Sequence, residues 1–340
     1  MVTTATQGAP AVATDPPTQM ARVPLTALDL GNYQSTGFTR GQCTTVRSIF
    51  TRLSSRGGYS PASDSPIIGV GESRFHVGRQ AQEYRGFRAA VNGDKTDHAR
   101  LLFLATLPKK ALESGSTDVV VTHHSYDDPS VELKLRELLL GTHEFQRNGH
   151  DCQITVNSVT VAPEAFGAWH IVYPSGVHTN HTIVIDIGGG SWYAGVVDTQ
   201  GNVVDTALDT KGGVYQLASE ISLDERFIDA LSLRVGGIAK IPLIMEGLEK
   251  DNRYYNIPEL DWSAWYLDHV EAWWGEMIGT VRSRFHGWAD RCDRIIVVGG
   301  GAHLLKGRFE ASSTVTVPTP PHLASIVGTW KFYNQQRGQV

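Results

Sequence analysis

The sequence predicts an α/β protein built from two similar halves. Each half opens with an apolar strand that ends in an aspartate and a glycine turn, and each turn leads into a returning strand. Predicted strands and helices are interspersed along both halves, as in α/β folds. The length of 340 residues is enough for about two domains. We therefore expect two α/β domains of related design.

Most of the predicted strands are paired in hairpins. Turn residues such as Gly31-Asn32 and Asn148-Gly149 stand between alternating apolar segments, which is the pattern of a β-hairpin. The predicted hairpins cover residues 23–39, 65–81, 143–163 and 183–198. The fully apolar run at residues 116–124 is typical of a strand buried in a parallel sheet. Residues 294–305 predict a further strand that ends in glycines.

Helices are predicted from apolar periodicity and end signals. They cover residues 93–115 (capped by Asp94 or Thr96), 127–141, 210–222, 260–291 and 321–336. The long fourth helix contains several large apolar residues at helical spacing, which favours core packing over a ligand site. These residues are Trp262, Trp265, Trp273, Met277, Val281 and Phe285.

Composition limits the functional classes. The formal net charge of -5 argues against an autonomous nucleic-acid binder, so any contact with DNA is expected to go through a partner. Cys43, Cys152 and Cys292 lie far apart, which predicts a reduced, cytoplasmic protein. No apolar run is long enough to span a bilayer, and residues 1–22 lack the features of a signal peptide. Those first residues predict a disordered extension.

Three apolar strands end in glycine turns. The first glycine turn is residues 31–34 (GNYQ), the second is residues 188–191 (GGGS) and the third is residues 299–302 (GGGA). Consecutive glycines let backbone N–H groups converge on an anion, because no Cβ keeps the ligand away. A helix that begins just behind such a turn adds its positive end. A single turn of this kind can equally be a tight turn without a ligand.

Two carboxylates distinguish the three glycine turns from a chance pattern. Asp29 and Asp186 occupy the same place relative to their turns, at the inner end of an apolar strand. A carboxylate there is costly unless it is paired or works with a cation. Two carboxylates between two phosphate-binding turns would suit Mg²⁺, which keeps several waters and also takes phosphate oxygens. The signature of a P-loop and a well-placed Gly-x-Gly-x-x-Gly are both missing.

The ordered set resembles a known superfamily. Asp-Leu-Gly-Asn at 29–32, Asp-Ile-Gly-Gly-Gly at 186–190 and Val-Val-Gly-Gly-Gly-Ala at 297–302 resemble the phosphate-1, phosphate-2 and adenosine motifs of the actin/Hsp70/sugar-kinase superfamily. Within it the chain most resembles prokaryotic actin-like ATPases of the ParM/StbA type. Looser similarity extends over roughly residues 25 to 335.

The resemblance implies an actin-like (ribonuclease-H-like) two-domain fold with a nucleotide cleft between the domains. Residues 23–176 would form domain I, with the C-terminal helix 321–336 packing back on it. Residues 177–320 would form domain II.

The resemblance also implies roles for single residues. Asp29 and Asp186 would organise Mg²⁺ through water, and Glu164 would orient the attacking water. The first two turns would hold the phosphates of ATP or GTP, and the third turn would flank the nucleoside together with Gly212 and Gly213. The implied nucleotide contacts are Gly31, Asn32, Tyr33, Gln34, Gly188, Gly189, Gly190, Ser191, Gly212, Gly213, Gly299, Gly300, Gly301 and Ala302.

The implied function is that of a cytoplasmic ATPase that polymerises into filaments. Such proteins move or position DNA, most often a plasmid, through a small DNA-binding adaptor, and neither direct nucleic-acid binding nor membrane binding is expected. Two departures from the family pattern stand out. Thr36 replaces a lysine that in many relatives reaches the phosphates, and Trp192-Tyr193 replaces a more polar pair.

These departures keep alternatives open. A soluble phosphohydrolase of the exopolyphosphatase/guanosine pentaphosphate phosphatase type has a similar second motif, although it usually continues with Thr-Glu. A sugar or small-molecule kinase would need an acceptor pocket that the sequence does not indicate. A nucleotide-binding scaffold without hydrolysis would fit Thr36 and Trp192. Arg47, Arg52 and Arg56 are interpreted as a basic, solvated loop.

Overall fold

Two β-sheets, each formed by a different part of the chain, organise the structure. The structure is a computed structural model and describes residues 22–54, 59–84, 86–89, 95–234, 239–250, 253, 257 and 260–338. The predicted N-terminal extension, apart from its last residue Arg22, lies outside these residues, as do Asp94 and Arg56. Among the described helices, none is both long and apolar enough to cross a bilayer.

The first sheet has ten strands in the order β3-β2-β1-β8-β10-β9-β5-β6-β4-β7. They are β1 (Leu25–Leu30), β2 (Gln34–Thr39), β3 (Gln42–Arg47), β4 (Ile49–Arg52), β5 (Ile67–Val70), β6 (Ser73–Val77), β7 (Arg88–Ala89), β8 (Ser116–His123), β9 (Gly141–Arg147) and β10 (His150–Pro163). The second sheet has five strands in the order β13-β12-β11-β14-β15. They are β11 (His181–Ile187), β12 (Trp192–Val197), β13 (Val203–Asp209), β14 (Cys292–Val298) and β15 (Val315–Thr316).

Ten α-helices are assigned within the described residues. They are α1 (Ala99–Thr106), α2 (Lys109–Ser114), α3 (Pro129–Leu139), α4 (Phe166–Val172), α5 (Val214–Ser222), α6 (Glu225–Arg234), α7 (Ile241–Lys250), α8 (Tyr266–Arg284), α9 (Lys306–Phe309) and α10 (Pro321–Gln336). Short 3₁₀ helices cover Arg79–Glu83, Lys95–His98, His286–Trp288 and Gly300–Leu305.

The two sheets repeat one pattern around their central strands. In the first sheet, β1 lies between the antiparallel β2 and the parallel β8. In the second, β11 lies between the antiparallel β12 and the parallel β14. Asp29 and Asp186 are each the next-to-last residue of the central strand. The repeated topology therefore places the two carboxylates at equivalent positions, as the sequence predicts.

All four predicted hairpins are confirmed, with pairing between β1 and β2, β5 and β6, β9 and β10, and β11 and β12. The single helix predicted over residues 93–115 is wrong. The chain forms α1 and α2 instead, because Leu107 precedes Pro108 and takes an extended ψ of 119°. A proline disfavours the helical conformation of the residue before it. Strand β13 and helices α6 and α7 are not predicted from the sequence.

The tryptophans of the predicted fourth helix pack in the core. Trp262 and Trp273 are buried, and Trp265 is partly buried against the same cluster. Helix α8 begins only at Tyr266, so Trp262 and Trp265 precede it. Core packing is thus confirmed for these side chains, whereas the helix is shorter than the spacing predicts.

Candidate functional site

An open cavity lies where the central strands of the two sheets end, and its empty space of about 1060 Å³ includes open solvent. We call it the cleft. Its lining includes the three predicted acidic residues, the whole of the first and second glycine turns and most of the third. The lining residues are Asp29, Gly31, Asn32, Tyr33, Gln34, Glu164, Asp186, Gly188, Gly189, Gly190, Ser191, Tyr193, Val214, Met245, Leu248, Glu249, Gly299, Gly300, Gly301, His303, Pro321, His322 and Ser325.

The first glycine turn is held from behind by one buried serine. Ser48 donates its hydroxyl to the carbonyl of Gly31 at 2.6 Å and its N–H to the carbonyl of Tyr33 at 2.9 Å. Its hydroxyl also lies 2.8 Å from that of Ser35. The carbonyls of the turn are therefore occupied on the side that faces β3 and β4.

The second glycine turn is held in the same way by the start of α5. The N–H of Val214 donates to the carbonyl of Gly188 at 3.1 Å, and the N–H of Tyr215 donates to the carbonyl of Gly189 at 2.7 Å. These are among the first N–H groups of the helix, which have no partner within the helix itself. The turn and the helix thus satisfy each other, and the positive end of the helix lies behind the turn.

Fixing the carbonyls leaves the N–H groups of both turns available. Within the described residues, the backbone N–H groups of Asn32, Tyr33, Gly189, Gly190 and Ser191 donate to no protein atom. Successive unpaired N–H groups in a turn form a concavity that binds anions. Because both turns line the cleft, an anion with several oxygens could accept from both at once.

The two turns also touch each other. A Cβ at position 189 would lie 2.2 Å from the Cβ of Tyr33, so only glycine permits the contact. The glycine therefore sets the spacing between the two groups of N–H donors. A one-residue change at this point would push the turns apart.

The positions of Asp29 and Asp186 follow directly from the sheet topology. Asp29 accepts from the hydroxyl of Thr122, its neighbour on β8, at 3.4 Å. Asp186 lies against Gly299 of the third turn, where a Cβ would come within 2.3 Å of the Asp186 Oδ1 atom. Gly299 also has a φ of 88°, a backbone conformation that residues with a side chain rarely adopt. The third turn thus makes room for the carboxylate.

Glu164 follows β10 at a bend in the chain. The next residue, Ala165, has a φ of 64°, an uncommon conformation that is often found at functional sites. The Glu164 side chain is 18% exposed, and its Oε1 atom lies 3.9 Å from Nδ1 of His124. The carboxylate is therefore kept at the edge of the cleft with solvent access.

Asp29 and Asp186 fit a metal ion whose other ligands are water molecules and the oxygens of a phosphate. Among the described residues, no three His, Cys, Asp or Glu side chains are grouped closely enough to hold a metal by themselves. Mg²⁺ commonly takes one or two carboxylates, several waters and the oxygens of a phosphate. Asp29 and Asp186 could supply this limited protein share, as the sequence predicts.

Gly212, Gly213 and Ala302 do not line the cleft, so their positions give no support to the predicted nucleoside contact. A Cβ at position 213 would lie 2.5 Å from the Ser191 nitrogen, which places Gly213 directly behind the second turn. Gly212 packs against the Trp192 indole, and its carbonyl accepts from the indole of Trp273. Ala302 is fully buried. The sequence pattern does not show which side of a turn faces a ligand.

The two departures from the family pattern have different positions. Thr36 does not line the cleft, and its hydroxyl lies 3.2 Å from that of Thr45. Trp192 is buried behind the second turn. Side chains alternate between the faces of a strand, so Tyr193 faces the opposite way and lines the cleft. Within the described residues, the buried Tyr193 hydroxyl has no hydrogen-bond partner.

Electrostatic conditions keep this tyrosine neutral. Burial raises the pKa of Tyr193, and the nearby carboxylates of Glu164 and Asp186 raise the pKa further. The side chain is therefore an O–H donor at any physiological pH. Tyr193 therefore supplies a polar group to the β11–β12 hairpin, although the departure from the family pattern predicts that this hairpin has lost one.

The residues at the far end of the cleft are not predicted from the sequence. It is formed by Met245, Leu248 and Glu249 of α7, by the start of α10, and by His303. The two ring nitrogens of His303 lie within hydrogen-bond range of the carbonyls of Leu248 and Gly300, so a ring N–H can donate to either and link α7 to the third turn. The segment of α7 does carry a helix signal, because Pro242 lies in its first turn and Ile241, Ile244 and Leu248 recur at helical spacing. Gly247 interrupts this pattern, and the segment is not among the predicted helices.

Burial and the neighbouring His303 lower the pKa of His322, the second residue of α10, although Glu249 partly opposes this shift. At neutral pH the imidazole is therefore uncharged. A neutral ring beside the apolar Met245 and Leu248 suits a flat heterocyclic group.

Residues 27–167 match the family described as "Actin like proteins N terminal domain". No curated protein sequence matches the chain. Among solved structures, the archaeal actin homolog Ta0583 in complex with ADP has a TM-score of 0.74 and 17% identity, over 92% of this chain and 100% of that one. The apo psk41 ParM protein has a TM-score of 0.65 and 16% identity, over 94% and 99%.

A 15-stranded ParM filament from Clostridium botulinum provides a further structural match. Its TM-score is 0.72 at 15% identity, over 93% of this chain and 100% of that one. At such identities the similarity establishes the fold, which is that of actin. Together with the family match, it confirms the resemblance to prokaryotic actin-like proteins that the motifs predict.

We expect Gly189→Ala to weaken the binding of inorganic tripolyphosphate, because the new methyl group separates the two sets of N–H donors. Isothermal titration calorimetry should show a loss of about tenfold or more in affinity, which corresponds to roughly 1.4 kcal/mol. Gly275→Ala, at an exposed position of α8 outside the cleft, is the matched control, since a Cβ there meets no atom within 4 Å. Equal affinities for the two variants would contradict this geometry.

Proposed function

Because the chain has an actin-like N-terminal domain and the actin fold, we propose that it is a filament-forming actin-like ATPase that depends on a bound nucleotide. The observation that carries the proposal is the pair of glycine turns, whose unpaired N–H groups line one cleft with Asp29 and Asp186. This combination of backbone donors and carboxylates suits a polyphosphate with its Mg²⁺ ion.

The nucleotide would lie along the cleft with its phosphates between the two turns. Asp29 and Asp186 would hold Mg²⁺ through water at this end. The nucleoside would extend towards Gly299, Gly300 and Gly301 and the wall formed by α7 and α10. The ADP complex of the archaeal actin homolog, which shares the fold, supports this assignment. Either ATP or GTP fits the cleft as described.

The reaction would be hydrolysis of the terminal phosphate. Bound Mg²⁺ would supply charge neutralisation at the phosphates, and the backbone N–H groups of both turns would add to it. Glu164 would accept a hydrogen bond from one water and hold it in line with the terminal phosphorus. The neutral Tyr193 hydroxyl lines the same cleft and could donate a hydrogen bond there.

Filaments would form when a head-to-tail contact between copies repeats without closing. A nucleotide that contacts both halves of the chain would bias their relative position, and hence that contact. The ParM filament among the structural matches supports self-association. We propose that the filament segregates or positions DNA in the cytoplasm through a small DNA-binding adaptor. The net charge of -5 is consistent with such indirect contact.

One observation favours a second candidate, a nucleotide-dependent scaffold without hydrolysis. No lysine or arginine is among the described residues that line the cleft. Cationic side chains commonly stabilise the charge that develops during phosphoryl transfer. This candidate would bind nucleotide and assemble, yet release no phosphate.

Light scattering with paired phosphate release tests the proposal. Adding Mg-ATP or Mg-GTP to the purified protein should raise the scattering, with filaments visible by negative-stain electron microscopy and phosphate release following assembly. Assembly without phosphate release would favour the scaffold. Flat scattering at all protein concentrations, with or without phosphate release, would contradict a self-sufficient polymeriser.

Substitutions separate binding from hydrolysis. Glu164→Ala should keep Mg-ATP affinity and slow hydrolysis by about a hundredfold, a magnitude typical of a lost water-activating group.

Asp186→Ala should weaken Mg-ATP binding itself, because the metal loses a carboxylate. Glu144→Ala, at an exposed position on β9, is the control. Unchanged turnover in Glu164→Ala, or normal Mg-ATP affinity in Asp186→Ala, would remove that residue from its role.

A further inference from the structure

Arg47 connects the two halves of the chain beside the cleft. It is the last residue of β3, and its side chain is only 15% exposed. The interpretation of this arginine as part of a solvated loop is therefore wrong. Arg52, by contrast, is exposed at the end of β4. Because burial of a guanidinium is costly without partners, the contacts of Arg47 carry information about its role.

The first contact crosses from one half to the other. The Arg47 guanidinium forms an ion pair with Glu249 on α7. Glu249 lines the cleft, whereas Arg47 lines an adjoining cavity of about 940 Å³. The pair thus stands at the boundary between the nucleotide site and the space beside it.

The second contact reaches the first glycine turn. The Arg47 guanidinium carbon lies 3.6 Å from the centre of the Tyr33 ring, within the range of a cation–π contact. Tyr33 in turn packs on Gly189 of the second turn. One guanidinium is therefore linked to both phosphate-binding turns and to α7.

A second ion pair lies next to the first. Arg79, at the start of a 3₁₀ helix, pairs with Glu246, one helical turn before Glu249. Residues three apart share one face of a helix, so both pairs hold the same face of α7. Arg79 is 41% exposed, so its guanidinium is more solvated than that of Arg47.

The charge of Arg47 persists in this environment. Burial lowers the pKa of Arg47 to about 10, while Glu249 and Asp64 oppose the shift. The side chain remains protonated at neutral pH. The ion pair is shielded from solvent at its arginine end and open at Glu249, which is 37% exposed, so salt screens it only in part.

We propose that Arg47 is a positioning residue that retains the nucleotide, by holding α7 against the first glycine turn over the occupied cleft. This rests on the proposed function. Removal of the guanidinium would break the link between α7 and Tyr33 and leave the Glu249 carboxylate unpaired in the wall of the cleft, at the end assigned to the nucleoside. Both effects favour release. The in-line position of the attacking water depends on other residues, so the effect falls on nucleotide dissociation rather than on the chemical step.

The test is the dissociation rate of mant-ADP from the full chain, measured by stopped-flow fluorescence with excess unlabelled ADP. Arg47→Gln should release mant-ADP about tenfold faster or more, a change of roughly 1.4 kcal/mol, because α7 loses a contact that holds it against the first glycine turn. Arg52→Gln, which removes an exposed arginine of the same region, should match the wild type. Arg47→Lys should be intermediate, since it keeps the charge and loses the planar stacking group.

A double substitution identifies the pair itself. Glu249→Gln added to Arg47→Gln should recover part of the lost retention, because the unpaired carboxylate is removed. The single-turnover hydrolysis rate of saturated Arg47→Gln should stay close to that of the wild type. This split between release and chemistry distinguishes positioning from a general loss of structure.

Wild-type release rates in the folded Arg47→Gln protein, or additive effects in the double variant, would overturn the proposal. If Arg47→Gln does not fold, Glu249→Gln tests the same pair from the more exposed side, with accelerated release expected and unchanged release contradicting it. A wild-type protein that binds neither mant-ADP nor mant-GDP would overturn the proposed function, and this proposal with it.

Discussion

The close approach of backbone to backbone at the glycine turns is the constraint on which the rest of the structure depends. The second turn must come close enough to Tyr33 that no Cβ fits at position 189. Gly299 must come equally close to the Asp186 carboxylate. Glycine is costly in an ordered segment because it loses the most conformational freedom on folding. Its presence at these contacts is explained by a cleft that needs exposed N–H groups on both sides and carboxylates at its base.

The first two turns present N–H groups to the cleft while other groups satisfy their carbonyls from behind. Ser48 does this for the first turn, and the N-terminus of α5 does it for the second. The two supports are chemically different, although the sheets repeat one topology. The arrangement also explains Gly213, which lies behind the second turn so that the helix can begin there. The cleft is therefore built in two layers, with donors in front and their supports behind.

The sequence predicts the features that depend on neighbouring residues. The hairpins, the two carboxylates and the first two glycine turns are local patterns, and the structure places them as expected. Ser48, Glu249 and Arg47 could not be found in this way, because each acts through a contact distant in sequence. The sequence also does not distinguish the front of a turn from its back, so Gly212, Gly213 and Ala302, which the resemblance places beside the nucleoside, can lie outside the lining of the cleft. The break between α1 and α2 does have a local signal at Pro108, which the apolar periodicity obscured.

The central claim is that the cleft binds a nucleotide with its phosphates between the two turns. The most direct measurement is a crystal structure of the protein with Mg²⁺ and, in parallel, non-hydrolysable analogues of ATP and of GTP. We expect the phosphates to accept from the N–H groups of residues 32–33 and 189–191, with the metal on the side of Asp29 and Asp186. A nucleotide bound elsewhere, or a cleft that stays empty at saturating analogue, would contradict the account.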